Sequence, residues 1–119
     1  MRYNELVVWQ KAMDMVTEIY KITATFPSDE RFGLSSQARR AAVSIPSNIA
    51  EGHGRKATGA YLNHLSIAHG SLMELETQVQ IALRLNFVSA DETSVLLAQT
   101  DEIGKMLNGL KKSLSAKAE

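Results

Sequence analysis

Cysteine is absent from this 119-residue chain. That excludes disulfides, thiolate metal sites and cysteine nucleophiles, and it fits a reducing, cytoplasmic setting. Proline occurs only twice. No stretch alternates apolar and polar residues as a half-buried strand does, so the pattern is helical almost throughout. Long apolar runs are missing as well, since none approaches the ~20 residues of a membrane span. The opening MRYNELVVWQKAMDM lacks the apolar core and cleavage site of a signal peptide. Neither charge sign is in excess: thirteen Lys+Arg face thirteen Asp+Glu. Neutrality argues against a dedicated high-affinity nucleic-acid binder and leaves room only for local patches.

The length is that of one domain, residues 1–119, able to bury roughly two thirds of its unfolded surface without a staple. Four helices are expected, at about residues 5–25, 35–51, 59–85 and 90–114. Phe26-Pro27 ends the first, and Gly52 with Gly54 stops the second. Thr58 is placed to cap the third, and Ser89-Ala90-Asp91-Glu92 fits a capping box opening the fourth. Short connections make neighbours antiparallel, so the expected fold is all-α, an up-and-down antiparallel four-helix bundle.

Helix faces differ in width. The fourth helix has one apolar stripe: Leu96, Ile103, Leu107, Leu110 and Leu114. The first spreads Leu6, Trp9, Ala12, Met13, Met15, Val16, Ile19, Tyr20 and Ile22 over roughly 200° of arc, well beyond the ~100° that one core contact requires. Surplus apolar width points to an oligomer interface, with Trp9, Met15, Ile19 and Ile22 as its candidates.

Charge is unevenly placed. Residues 31–56 hold Arg31, Arg39, Arg40, Arg55 and Lys56 against Glu51 alone, whereas residues 1–30 carry three basic and five acidic side chains. Within the basic segment, Leu34, Ala38, Ala41, Ala42, Ile45 and Ile49 form a core face, and Arg40, Ser44, Ser47 and Glu51 a polar stripe opposite. Pro46 lies between the two. A proline inside a helix removes an N–H and clashes with the carbonyl four residues back, at a cost of about 3 kcal/mol, and it commonly kinks the helix. Ser44, Ser47 and Asn48 can bond the groups it frees.

Candidate chemistry is thin. Gly54 to Gly59 has phosphate-loop glycine spacing, but Ala60-Tyr61 follows where Lys-Ser/Thr should stand and no strand precedes, so nucleotide hydrolysis is rejected. Arg55 and Lys56 near the positive end of the third helix, with Arg40 on the polar stripe, remain candidate anion or nucleic-acid contacts. His53, His64 and His69 lack the Glu-x-x-His spacing of bundle metal sites. No Gly-x-Ser-x-Gly elbow occurs. Glu76, at the edge of an apolar face, needs a cationic partner, and Arg39 at the core edge is the first candidate for a structural ion pair. No catalytic, metal or cofactor site is therefore expected, and no enzyme.

The series FP-x-x-E-x-FGL-x-x-Q-x-RRA-x-x-SIPSNIAEG, Phe26 to Gly52, resembles the four-helix bundle proteins of the rRNA intervening-sequence type. IAHGSLMELETQ, Ile67 to Gln78, is similar to the second block of that family, and Leu6-x-x-Trp9-Gln10 and Tyr20 also fit. The resemblance implies a small bacterial, cytoplasmic bundle assembling as a ring-like homopentamer. Relatives include products of reading frames inside large-subunit rRNA insertions. Others are accessory bundles of diversity-generating retroelements, which work with a reverse transcriptase and nucleic acid. The expected function is thus a non-enzymatic, self-assembling scaffold or accessory protein, partnered by itself and by a protein such as a nucleic-acid enzyme. The alternative is a ring that binds RNA or DNA, independent of sequence, through repeated basic patches.

Overall fold

The computed structural model describes residues 1–118. Four helices follow in order: α1 (Val7–Thr23), α2 (Leu34–His53), α3 (Thr58–Arg84) and α4 (Ala90–Ala118). Short 3-10 turns at Tyr3–Glu5 and Ser28–Glu30 precede α1 and α2. Helix α1 packs on α2 and α4, and α3 packs on the same two, while no diagonal pair brings its backbones together among the described residues. The four rods form a square bundle of 48 × 24 × 20 Å.

Local chemistry sets the helix ends. At the start of α4 the Ser89 N–H donates to Glu92 Oε1 at 2.9 Å and the Glu92 N–H donates to Ser89 Oγ at 3.0 Å, a reciprocal capping box. At the end of α3, Asn86 takes a left-handed φ of 62°. Its N–H donates to Leu83 O, and the Phe87 N–H donates to Ala82 O, which is the Schellman arrangement. Phe87 then packs on Phe26, ring centroids 5.4 Å apart, closing that end of the bundle.

Three boundaries depart from the sequence expectation. Of the expected Gly52/Gly54 stop, Gly54 is the C-cap while Gly52 stays inside α2, which continues to His53, because α3 packs closely on that turn. Thr58 is the first residue of α3 rather than its cap; Ala57 stands at the cap without a side-chain bond. Helix α4 extends four residues past Leu114, since Ala116 and Lys117 are good helix formers that need no packing.

The core is built from Met15 and Ile19 of α1, Ile45 and Ile49 of α2, Leu65, Leu72 and Leu75 of α3, and Ile103 and Leu107 of α4. Ala12, Ala42 and Ala68, all fully buried, let the helix axes approach. A void near Ile19, Ala38 and Val79 is about 10 Å³, too small to admit a substrate.

Candidate interaction faces

The wide apolar arc of α1 separates into two stripes. Val8, Ala12, Met15 and Ile19 point into the core. Trp9, Met13, Val16 and Tyr20, spaced i, i+4, i+7 and i+11, run along the open α1–α2 side instead. Met15 and Ile19 are therefore corrected as interface candidates: each is 1 % exposed and spent on the protomer's own core. Trp9 remains half-open, and Ile22 lies half-buried on the opposite flank, toward α4.

On the α1–α2 side a groove of about 320 Å³ runs between Trp9, Met13 and Val16 of α1 and Val43, Pro46 and Ala50 of α2. Tyr3 closes one end by an edge-on contact with Trp9 at 5.4 Å. Pro46 is buried in this wall, and α2 runs unbroken through it. Its missing N–H leaves the Ala42 carbonyl without the usual partner. One turn on, the Asn48 side-chain amide donates to Ser44 O at 2.9 Å.

Farther along the same side the groove opens into a cleft of about 560 Å³ lined by Arg31, Phe32, Arg39, Arg40, Tyr20 and Val43, with no carboxylate among its lining residues. Arg39 is held on α1. Its Nε donates to Thr23 Oγ1 at 2.8 Å, one Nη donates to Tyr20 O at 3.3 Å, and the guanidinium lies 4.5 Å from the centroid of the Tyr20 ring. Arg31 sits 5.4 Å over Phe32, which is 89 % exposed. The expected Arg39–Glu76 ion pair does not form. Arg39 occupies the α1 flank of α2, whereas Glu76 is half-buried on α3 and makes no ion pair among the described residues.

The polar stripe of α2 is likewise divided. Arg40 and Ser47 are exposed, but Ser44 turns to α3, where its Oγ lies 2.8 Å from Ser71 Oγ. Asn48 continues this α2–α3 seam, with Oδ1 3.0 Å from His64 Nδ1. Because the Asn48 amide already donates to Ser44, its Oδ1 is the acceptor and His64 Nδ1 carries the hydrogen. Glu51 Oε2 stands 3.7 Å from the same nitrogen. Sequence reasoning missed this seam. Its signal was a polar pair on one edge of each helix, Ser44 and Asn48 at i, i+4 on α2 and His64 and Ser71 at i, i+7 on α3. Tyr61 beside it has its phenol pushed above 10.0 by burial.

Arg55 and Lys56 are exposed in the α2–α3 connection. Fifteen residues of mostly helix, roughly 20 Å at 1.5 Å each, separate Arg40 from Arg55, so the three candidate anion contacts do not form one site. Arg40 clusters with Arg31 and Arg39 instead.

A second cleft, of about 390 Å³, lies on the α1–α4 side. Glu18, Asp91 and Glu92 line it against Lys21, with Ile22 and a 60 % exposed Val95 as its apolar floor. Nearby, Lys11 Nζ meets Glu102 Oε1 at 2.7 Å and ties α1 to α4. That hydrogen bond and the carboxylate charge raise the Lys11 pKa above 10.5. Among the described residues no cluster of His, Asp or Glu is placed to hold a metal, and no helix is long and apolar enough to cross a membrane.

Square packing, an unbroken proline-bearing α2 and open rather than enclosed clefts define the class: a four-helix bundle whose features lie on its outer faces. More narrowly, the chain belongs to the 23S rRNA-intervening sequence protein family, whose pattern it matches over residues 4–109. It is also similar to the crystal structure of a protein of unknown function from the S23 ribosomal protein family of Bacteroides thetaiotaomicron VPI-5482. That likeness has a TM-score of 0.83 at 24 % identity, covers 94 % of this chain and 99 % of the other, and shows a shared fold. No curated protein matches the chain.

Proposed function

We propose that this protein is a non-enzymatic, self-assembling bundle that serves as an interaction scaffold or accessory protein, built as a ring-like homopentamer. The observation that carries this reading is the open apolar stripe of Trp9, Met13, Val16 and Tyr20 along the α1–α2 groove. Trp9 and Val16 rest part of their surface on the core while Met13 and Tyr20 are exposed, and contiguous exposed apolar surface marks a contact site. The partner beyond self is a protein, with a nucleic-acid enzyme as the kind the family resemblance suggests. Light scattering after gel filtration is expected to give about five times the monomer mass. Met13→Glu should return the chain to monomer with its helicity intact. Met15→Glu, which places a charge in the core, should unfold it. A monomeric wild type at micromolar concentration overturns the reading.

A second reading, binding of RNA or DNA, is supported by Arg40, Arg55 and Lys56, all exposed and in no ion pair among the described residues. Such contacts address the phosphate backbone and carry no base-reading geometry.

A further inference from the structure

We infer that the arginine cleft on the α1–α2 side docks into the acidic cleft on the α1–α4 side of a second copy of this chain, head to tail; this rests on the self-assembly reading and assigns its contact surfaces. Three observations carry it. The first is complementarity of charge. One cleft presents Arg31, Arg39 and Arg40 with no carboxylate among its lining residues, and the other presents Asp91, Glu18 with Lys21 3.8 Å away, and Glu92, one oxygen of which caps α4. Arg39 is already positioned by Thr23 and Tyr20, and its Nη1 makes no hydrogen bond among the described residues. A pre-oriented guanidinium loses little freedom when it meets a carboxylate from outside.

The second is complementarity of shape and polarity. Phe32 projects from the arginine cleft with 89 % of its surface in water, while the floor of the acidic cleft is Ile22, Leu96 and the exposed Val95. An aromatic knob ringed by arginines fits an apolar floor ringed by carboxylates. This is the usual anatomy of a contact, with an apolar centre and a charged rim.

The third is position. Tyr20 in one cleft and Glu18 and Ile22 in the other belong to the same turns of α1, so the two clefts sit at the same level along the bundle. Joining them repeatedly requires rotation without rise. They also lie on adjacent sides of the bundle, which share α1, so joining one to the other turns each copy relative to the last and can close a ring, whereas opposite sides would propagate an open filament.

The test is charge reversal with a compensating swap, read by light scattering, with circular dichroism as the control for folding. Arg31→Glu with Arg40→Glu, both exposed positions, should reduce the assembly to monomer. Glu18→Arg with Asp91→Arg should do the same. A chain carrying all four substitutions should reassemble, because the attraction is restored with its signs exchanged. Phe32→Ser should raise the dissociation constant at least tenfold without changing the melting temperature. If wild type assembles and either double variant keeps its mass, the docking assignment is wrong while self-assembly stands. A monomeric wild type removes both. Loss of RNA binding by Arg31→Glu with Arg40→Glu, at unchanged mass, would reassign the cleft to nucleic acid and overturn the assignment.

Discussion

At Gly52 the α2 and α3 main chains come so close that an added Cβ would stand 2.8 Å from His64 Cβ and 3.0 Å from Tyr61 Cδ1. The nearer atom is fixed to the main chain, so neither helix can yield by rotating a side chain. Gly52→Ala therefore sets overpacking of about 1–3 kcal/mol against about 1 kcal/mol of regained helix propensity. It should also strain the neighbouring Asn48–His64 bond. A net loss of stability is expected in urea unfolding. Gly70, inside α3, meets nothing within 4 Å of its would-be Cβ. There Ala should stabilise by about 0.5–1 kcal/mol, because only the propensity remains. An equal response at the two positions would contradict the close approach described at Gly52.

Among the elements, α2 does the most varied work. Its inner face fills the core, its α3 edge carries the Ser44–Asn48 seam, and its α1 edge places Pro46 in the wall of the apolar groove. A buried proline in a helix that runs unbroken acts through shape: the ring fills space near Trp9, and its absent N–H loosens one turn. Pro46→Ala is expected to leave helicity unchanged and the melting temperature equal or higher, since a backbone bond returns. The same variant should weaken assembly, because the groove wall loses its ring. Unchanged assembled mass in Pro46→Ala, with helix α2 straight at that turn, would falsify this account. Helix α1 shows the companion principle. One apolar arc of about 200° is too wide for a single contact, and the bundle divides it between core and groove.

At the scale of the whole molecule the charges balance, while the α1–α2 cleft holds three arginines and no carboxylate among its lining residues. Any nucleic-acid binding through Arg40, Arg55 and Lys56 should be independent of sequence, steeply weakened by salt and stronger for long strands than for short ones, because each copy offers few cations and several must engage at once. Titration of long and short RNA at low and moderate salt checks this. Neutralising Arg55 and Lys56 alone, which lie away from both clefts, should weaken binding and lower its salt dependence without changing the assembled mass. Absence of binding to long RNA at low salt removes that reading.

The all-helical class and the Ser89–Glu92 capping box were legible in the sequence, because helical periodicity, caps and breakers act over a few residues and need no partner. The two faces of α2 were only partly so. Periodicity put Ser44 on an open stripe, and only the approach of α3, which brings Ser71 within 2.8 Å, turned it into a seam. Arg39 shows the same limit. Its place on the core edge could be read from helical geometry, but its partners could not. Which neighbour a flank meets depends on the order of helices around the square, and that order sets Arg39 on Tyr20 and Thr23 rather than on Glu76. Periodicity also could not divide the arc of α1, since Met15 and Trp9 are equally apolar. Tertiary packing decided it by filling the core with Met15 and Ile19 and leaving Trp9, Met13 and Tyr20 along the groove. Local chemistry thus determined which segments are helices. The faces those helices offer to other molecules were decided by which sides the bundle had already used.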